Sequence, residues 1–155
     1  MEDRLVIREA LDRDISAVQA IESASFPDPW PGDSFRDESF APFLVAEEAG
    51  NVIGFLLGRY VQDEGEILDI AVLPAARNRG VGKGLVREAM AFFLRSKVTR
   101  VFLEVRDSNR AARSVYSAVG FQTETFRRNY YRNPTEDAVV MKCLLGVEND
   151  AQNEA

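Results

Sequence analysis

The sequence contains no histidine, and this absence removes the catalytic groups on which many hydrolases and metalloenzymes depend. Ser-His-Asp triads, Cys-His dyads and zinc sites with histidine ligands are excluded, so we expect no metal site of that kind. A general base would have to be a carboxylate, a tyrosine, a lysine or a water chain. The single cysteine, Cys143, can form no disulfide within the chain, as is usual for proteins of the reducing cytoplasm.

Long apolar runs are also missing. No uninterrupted stretch approaches the roughly 20 residues of a membrane-spanning helix, and the charged N-terminus does not resemble a secretion signal. The 155 residues suffice for one full hydrophobic core and are too few for two ordinary domains. We therefore expect a cytoplasmic protein without membrane association, with one domain over residues 3–145 and a polar, disordered tail over residues 146–155.

The charge of the chain is unevenly distributed. The net charge of −6 argues against broad nucleic-acid binding. Residues 77–113 nevertheless contain ten Lys or Arg and only three acidic residues. A basic segment inside an acidic protein indicates a local site for an anionic ligand.

Apolar periodicity predicts alternating strands and helices, and hence an α/β fold. The predicted strands are residues 5–9, 43–48, 51–61, 66–73, 99–105, 123–131 and 137–145. Helices are predicted over residues 12–26, from Gly82 onward and over residues 108–121, with a further short helix over residues 33–40 capped by Asp33. The helix over residues 108–121 would be capped by Ser108 or Asn109 and ended by Gly120. Ala49 and Gly50 form a hairpin signature between two of the strands.

The stretch RNRGVGKG, residues 77–84, is the most informative segment. It follows a predicted strand and leads into a predicted helix, where free backbone N–H groups and the helix dipole favour an anion. Arg77, Arg79 and Lys83 add full positive charges. An ordinary solvated turn, with glycines only for the tight bend, is the alternative interpretation.

Two common nucleotide-binding motifs do not fit this glycine turn. A P-loop needs glycine at position 77 and serine or threonine at position 84, where the chain has Arg77 and Gly84. A dinucleotide-binding fingerprint needs glycine or alanine five residues after its first glycine, where the chain offers Leu85 or Arg87. Neither motif therefore identifies the ligand of the glycine turn.

The pattern Arg77-x-x-Gly80-x-Gly82 resembles the pyrophosphate loop of the GNAT superfamily of acyl-CoA-dependent N-acyltransferases. The order of elements is similar to that fold across nearly all of residues 3–145. Three segments resemble the ribosomal-protein alanine N-acetyltransferases, the RimI type: LDIAVLPAARNRGVGKGL, FLEVRDSNRAARSVYSAVGF and RRNYYRNPTEDAVVM. The resemblance implies a mixed, mostly antiparallel sheet, splayed between the strand before the glycine turn and the strand that carries Glu104.

The resemblance also implies the ligands and the roles of individual residues. Acetyl-CoA would be the acetyl donor, and the acceptor would be the N-terminal amine of a protein, an alanine of a small-subunit ribosomal protein. Residues implied to bind the donor are Ile70, Ala71, Val72, Arg77, Asn78, Arg79, Gly80, Val81, Gly82, Lys83, Gly84 and Asn109. Glu104 would be the general base and Tyr116 the general acid. Apart from the resemblance, Glu66 and Asp69 on the strand before the glycine turn are reserve candidates for the base, although orienting a water or the substrate amine suits them better.

The residues by themselves leave plainer interpretations open. Glu104 fits a solvent-facing strand carboxylate, and Tyr116 fits a core aromatic side chain with its hydroxyl at the rim. Phe26, Trp30, Tyr130 and Tyr131 are similar to the peptide-binding lip of the family, or else form the edge of the core.

Two other functions stay open from the sequence: acetylation of another amine, such as a lysine or a small molecule, and acyl-CoA binding without catalysis. The oligomeric state is also open, with a monomer favoured.

Overall fold

The computed structural model of the protein describes residues 4–146 and contains a seven-stranded sheet in the order β1-β2-β3-β4-β5-β7-β6. The strands are β1 Leu5–Glu9, β2 Phe43–Glu48, β3 Asn51–Val61, β4 Glu64–Val72, β5 Arg100–Arg106, β6 Gln122–Tyr131 and β7 Glu136–Leu144. The disordered tail predicted for residues 146–155 lies, apart from Gly146, outside the described residues. The domain boundaries at residues 3 and 145 stay a prediction.

All neighbouring strands pair antiparallel except β4 and β5, which are parallel. Their register runs only from Glu64 opposite Arg100 to Ile67 opposite Leu103, although both strands continue beyond it. Beyond Ile67 and Leu103, the backbone groups of β4 and β5 that face each other form no hydrogen bonds between the two strands. The mixed, mostly antiparallel sheet that opens between these strands confirms the predicted fold class.

The sheet is covered on both faces because alternate residues of its central strands are apolar on both sides. In β3, Leu56 belongs to one buried cluster, and its neighbours Phe55 and Leu57 belong to the other. The helices are α1 Ile15–Ser25, α2 Val81–Arg95 and α3 Arg110–Val119. The cluster around Leu56 contains side chains of α2 and α3, and the cluster around Phe55 contains side chains of α1.

Two short segments take the turn and cap geometry that the sequence predicts. Ala49 and Gly50 join β2 to β3 with φ angles of 53° and 79°, as a tight hairpin requires. Asn109 caps α3 by accepting a hydrogen bond from the backbone N–H of Ala112 at 3.1 Å. Gly120, with φ of 116°, ends that helix.

The helix predicted over residues 33–40 is wrong. The chain instead forms a single 3₁₀ turn, Gly32–Arg36, after Pro31, and no side chain caps it, so Asp33 has no capping role. Phe35 anchors the turn, because its side chain is 2% exposed and belongs to the buried cluster around Phe55. None of the helices within residues 4–146 is long and apolar enough to cross a membrane.

Candidate active site

A cavity of about 1400 Å³ opens where β4 and β5 separate. Its walls come from the glycine turn, from β4 and β5 beyond their last paired residues, from α3, and from two aromatic segments after α1 and at the end of β6. All the predicted site residues line this cavity except Arg79 and Gly84. The fold therefore brings together side chains that lie more than 100 positions apart in the sequence, such as Phe26 and Tyr130.

The start of α2 presents backbone N–H groups to the cavity. Gly80, with φ of 82°, precedes the helix, and no side chain caps its N-terminus. The first helical hydrogen bond runs from the N–H of Gly84 to the carbonyl of Gly80 at 2.9 Å, so the preceding amides of the turn have no partner within the helix. A Cβ atom built on Gly82 would meet only Val72 Cγ2, at 3.9 Å. This is the geometry of an anion site at a helix N-terminus.

The cations of the glycine turn do not all face the cavity. Lys83 lines it, as does Arg77, whose Nε donates to the carbonyl of Val72 at 2.9 Å. Arg79 instead pairs with Glu48 at the end of β2. Gly84 packs against Ile7, whose Cδ1 would lie 2.9 Å from a Cβ at this position and would have to shift. Arg79 and Gly84 do not line the cavity, so their part in donor binding stays a prediction that the geometry does not support.

Glu104 lies on β5 just beyond the last pair with β4. The Glu104 carboxylate raises the pKa of the neighbouring Tyr130 phenol, and its Oε1 lies 3.6 Å from Nε of Arg127. The other oxygen, Oε2, is buried and has no hydrogen-bond donor among the described residues. A strand carboxylate that simply faces solvent would not have a buried oxygen, so this position suits a group that receives a proton from a ligand.

Tyr116 lies on the inner face of α3 and is 5% exposed. Its ring packs edge-on against Phe121, with 6.0 Å between the ring centroids, and the residue also lines the cavity. Burial raises the pKa of the phenol well above its usual value near 10, with a smaller contribution from the charge of Asp69. The phenol is therefore protonated at neutral pH and is available as a donor.

The four aromatic residues of the predicted lip, Phe26, Trp30, Tyr130 and Tyr131, all line the cavity. Trp30 also stacks on Phe35 with 5.8 Å between centroids, so it anchors its loop to the core. The Tyr131 ring packs edge-on against Tyr130 at 5.1 Å. All four rings border the cavity, and Phe26 and Trp30 also pack against the buried cluster around Phe55, whereas the peptide-binding role stays a prediction.

Several contacts that shape the lip are absent from the sequence interpretation. Arg106 lies over the Tyr131 ring at 4.6 Å and donates to the carbonyls of Pro134 and Arg132, so it holds the β6–β7 turn in place. Asn133 of this turn donates to both carboxylate oxygens of Asp28 at 3.0 and 3.2 Å. The two halves of the lip are thereby joined.

Glu22 is the functional candidate that sequence reasoning missed. It is 1% exposed on α1, lines the cavity and is hydrogen-bonded to Asp69 of β4. Burial, followed by this hydrogen bond and the charge of Glu22, raises the pKa of Asp69 to about 9. The helical spacing could have revealed Glu22, because it follows buried Val18 by four positions and therefore shares its inward face.

The reserve base Glu66 has a different environment. Its side chain is 44% exposed and lies 3.5 Å from Nη2 of Arg59. It lines the cavity as well, but neither of its oxygens is a buried atom without a hydrogen-bond donor, as Oε2 of Glu104 is.

Comparison with known proteins places these features in one family. The sequence model of the acetyltransferase (GNAT) family matches residues 15–121. A ribosomal protein bS18-alanine N-acetyltransferase of Haemophilus influenzae is 35% identical over 138 residues, which cover 85% of this chain and 93% of that protein. The N-alpha-acetyltransferase RimI of Mycobacterium tuberculosis is 40% identical over 122 residues, covering 74% of this chain and 75% of that protein.

The fold has a similar counterpart among solved structures. The ribosomal-protein-S18-alanine N-acetyltransferase of Escherichia coli superposes with a TM-score of 0.85 at 29% sequence identity. The superposition covers 92% of this chain and 94% of that one.

Proposed function

The chain belongs to the acetyltransferase (GNAT) family, whose enzymes take the acetyl group from acetyl-CoA, and we propose that its acceptor is the α-amino group at the N-terminus of a protein. The acceptor we favour is the N-terminal alanine of a small-subunit ribosomal protein, in the cytoplasm. The names of the relatives support this acceptor, since the Haemophilus influenzae and Escherichia coli proteins are both named for alanine N-acetylation of ribosomal protein S18.

The observation that carries the proposal is the position of Glu104 and Tyr116 in one cavity with the glycine turn. The uncapped start of α2 fits the pyrophosphate of the donor, because its free amides and Lys83 supply donors and positive charge. Ile70, Ala71 and Val72 lie on the part of β4 that has no pairing with β5. Their backbone groups are thus available to hold the thioester and polarise its carbonyl.

The chemistry requires a neutral amine, and we assign to Glu104 the role of producing it. An α-amine has a pKa of about 8, compared with about 10.4 for lysine, so roughly one α-amine in ten is already neutral at pH 7. The nitrogen attacks the thioester carbon, and Glu104 receives its proton directly or through water. The sulfur leaves with the electrons of the C–S bond and takes up a proton from Tyr116, the proposed general acid.

The lip supports a peptide as the acceptor. Phe26, Trp30, Tyr130 and Tyr131 offer apolar faces on two segments, as binding of the first residues of an extended chain requires. Arg106 and the contact between Asp28 and Asn133 keep these segments in place.

The proposal is tested with acetyl-CoA and a panel of peptides that differ in their first residue, each prepared with and without an internal lysine. We expect acetylation at the N-terminus of alanine peptides, located by mass spectrometry of fragments, whether or not lysine is present. Modification of lysine alone would support the second acceptor class. Binding of acetyl-CoA without any transfer, to peptides or to small amines, would support a non-catalytic module, which needs neither Glu104 nor Tyr116.

A further inference from the structure

Helix α1 carries a buried carboxylate, Glu22, that the mechanism above does not use. The residue is 1% exposed, and its Oε2 accepts a hydrogen bond from the backbone N–H of Trp30 at 2.9 Å. Glu22 therefore ties the loop after α1, which carries Phe26 and Trp30 of the lip, to the inner face of the helix. A neutral amide side chain could accept this bond without the cost of burying a charge, so the carboxylate indicates a second task.

The second oxygen of Glu22 belongs to a group of unpartnered polar atoms. Within residues 4–146, four buried side-chain oxygens have no hydrogen-bond partner: Glu22 Oε1, Ser25 Oγ, Asp69 Oδ2 and Glu104 Oε2. All four residues line the active-site cavity. Buried polar atoms are normally hydrogen-bonded, so this concentration of oxygens in one cavity indicates a ligand that donates hydrogen bonds.

Three of these residues, Glu22, Ser25 and Asp69, lie on the side of the sheet that α1 covers. Ser25 follows Glu22 by three positions in α1 and therefore shares its face. Asp69 of β4 pairs with Leu57 of β3, whose side chain belongs to the buried cluster that contains side chains of α1. Residues directly opposite in antiparallel strands share a face of the sheet, so Asp69 faces α1. The three residues form one group, the carboxyl subsite.

The carboxyl subsite lies between the proposed positions of the two substrates. Ser25 immediately precedes Phe26 of the lip. Asp69 immediately precedes Ile70, the first of the residues proposed to hold the thioester. Because the attacking nitrogen must reach the thioester from the lip, its path runs past the carboxyl subsite.

The charge of the carboxyl subsite fits a cation. None of the ion pairs found within the described part of the chain involves Glu22 or Asp69. Burial and then the contact with Glu22 raise the pKa of Asp69 to about 9, so a proton can stand between the two carboxyl groups when no ligand is bound. An ammonium group can replace that proton, because it brings a positive charge and three N–H donors for the three unpartnered oxygens.

We propose that Glu22, Ser25 and Asp69 form the subsite that binds the α-ammonium group of the peptide before it is acetylated. This inference rests on the proposed function. The ammonium donates hydrogen bonds to the three oxygens, and the proton of the carboxyl pair passes to solvent. Glu104 then takes a proton from the nitrogen, and the neutral amine attacks the thioester. Since Glu22 also holds the loop of the lip through Trp30, it joins recognition of the amine to recognition of the first residues.

The test measures recognition of the amine without catalysis. An alanine-initiated peptide is compared with the same peptide carrying propionyl in place of alanine, which lacks only the α-amino group. Binding of each peptide to the protein saturated with CoA is measured by calorimetry at pH 7, where the α-amine is mostly charged and no transfer can occur. The wild type should bind the amine peptide about tenfold more tightly than the propionyl peptide, because charge-assisted hydrogen bonds form only with the amine.

Three variants locate this preference. Glu22→Gln should reduce it by about fivefold, because an N–H group replaces an oxygen where the ammonium binds. The glutamine oxygen still accepts the bond from Trp30, so affinity for the propionyl peptide should change by less than about twofold. Asp69→Asn should have the same effect. Ser25→Ala, which removes one oxygen at a half-buried position, should reduce the preference by about threefold.

Glu64→Gln is the matched control, since Glu64 is an exposed carboxylate of the same strand as Asp69 that pairs with Arg100, and it should keep the wild-type preference. An unchanged preference in the three variants would overturn the subsite. An equal loss of affinity for both peptides in Glu22→Gln would overturn it as well, since Glu22 would then only hold the lip. If melting curves show that Glu22→Gln does not fold, Asp69→Asn and Ser25→Ala decide.

Failure of the subsite and failure of the proposed function are distinguishable. A wild type that acetylates alanine peptides without preferring the amine peptide over the propionyl peptide would refute the subsite and leave the proposed function intact. A wild type that acetylates no α-amine would refute the proposed function, and this inference with it.

Discussion

Replacing Glu104 by glutamine removes the proposed proton acceptor with little change in shape. The ion pair with Arg127, at 3.6 Å and partly exposed, is lost. Such a pair contributes at most about 1 kcal/mol to stability, so the melting temperature should change by only a few degrees. Affinity for acetyl-CoA should also be retained, because the glycine turn is untouched.

The expected loss of rate is about 10² to 10⁴ at pH 7, the usual range for a general base, which corresponds to about 3 to 5 kcal/mol in the barrier. Raising the pH should recover only part of it. For an α-amine with a pKa of about 8, the neutral fraction rises from about one tenth at pH 7 to about nine tenths at pH 9, a gain of roughly tenfold. The variant should therefore gain activity with pH more steeply than the wild type.

The assay is steady-state acetylation of an alanine-initiated peptide between about pH 6 and pH 9, with acetyl-CoA affinity measured by calorimetry. Glu124→Gln is the control, because this carboxylate also lines the cavity but lies 3.7 Å from Nζ of Lys142 and is 48% exposed. Near-wild-type turnover of Glu104→Gln would refute the assignment and transfer the role of base to Glu66 or to a water chain.

Three further substitutions test other parts of the structure. Gly82→Val should weaken acetyl-CoA binding at least tenfold in a folded protein, because its side chain would fill the space at the helix start, where a Cβ meets only Val72. If calorimetry showed unchanged affinity, the pyrophosphate would not bind at this turn. Tyr116→Phe should lower kcat, most strongly at high pH, at a stability cost of about 1 kcal/mol, and turnover preserved across the pH range would make the phenol a packing group. Asp14→Asn should lower the free energy of unfolding by about 2 kcal/mol at pH 7, because Asp14 is 4% exposed and is held by two hydrogen bonds from Arg8 at 2.8 and 3.0 Å. Arg8 lowers the pKa of Asp14, so this stabilisation is complete above the ordinary value of 3.8 and is lost as the pH falls through the lower folded value. Denaturant titrations of both proteins near pH 7 and pH 3 should show that the difference in unfolding free energy shrinks in acid. A difference that persists near pH 3 would contradict the assignment.

Features that depend on a few consecutive residues could be predicted from the sequence. The hairpin at Ala49 and Gly50, the Asn109 cap and the glycine turn each follow from backbone preferences and hydrogen bonds within a short segment. The prediction of a short helix over residues 33–40 was wrong because tertiary packing outweighs local propensity there. Burial of Phe35 determines the path of that segment, and propensity within eight residues is too weak to oppose it.

The sequence alone determined three features: the absence of histidine, the positions of the carboxylates and tyrosines, and the order of strands and helices. Residue type and periodicity are properties of the chain itself. Only the tertiary structure decided what each side chain faces. It paired Arg79 with Glu48 away from the cavity and placed Glu22 against Asp69, which is 47 positions away. These contacts could not be inferred from the sequence, since they depend on sheet order and on burial, and burial is also what holds a proton on a carboxyl group at neutral pH.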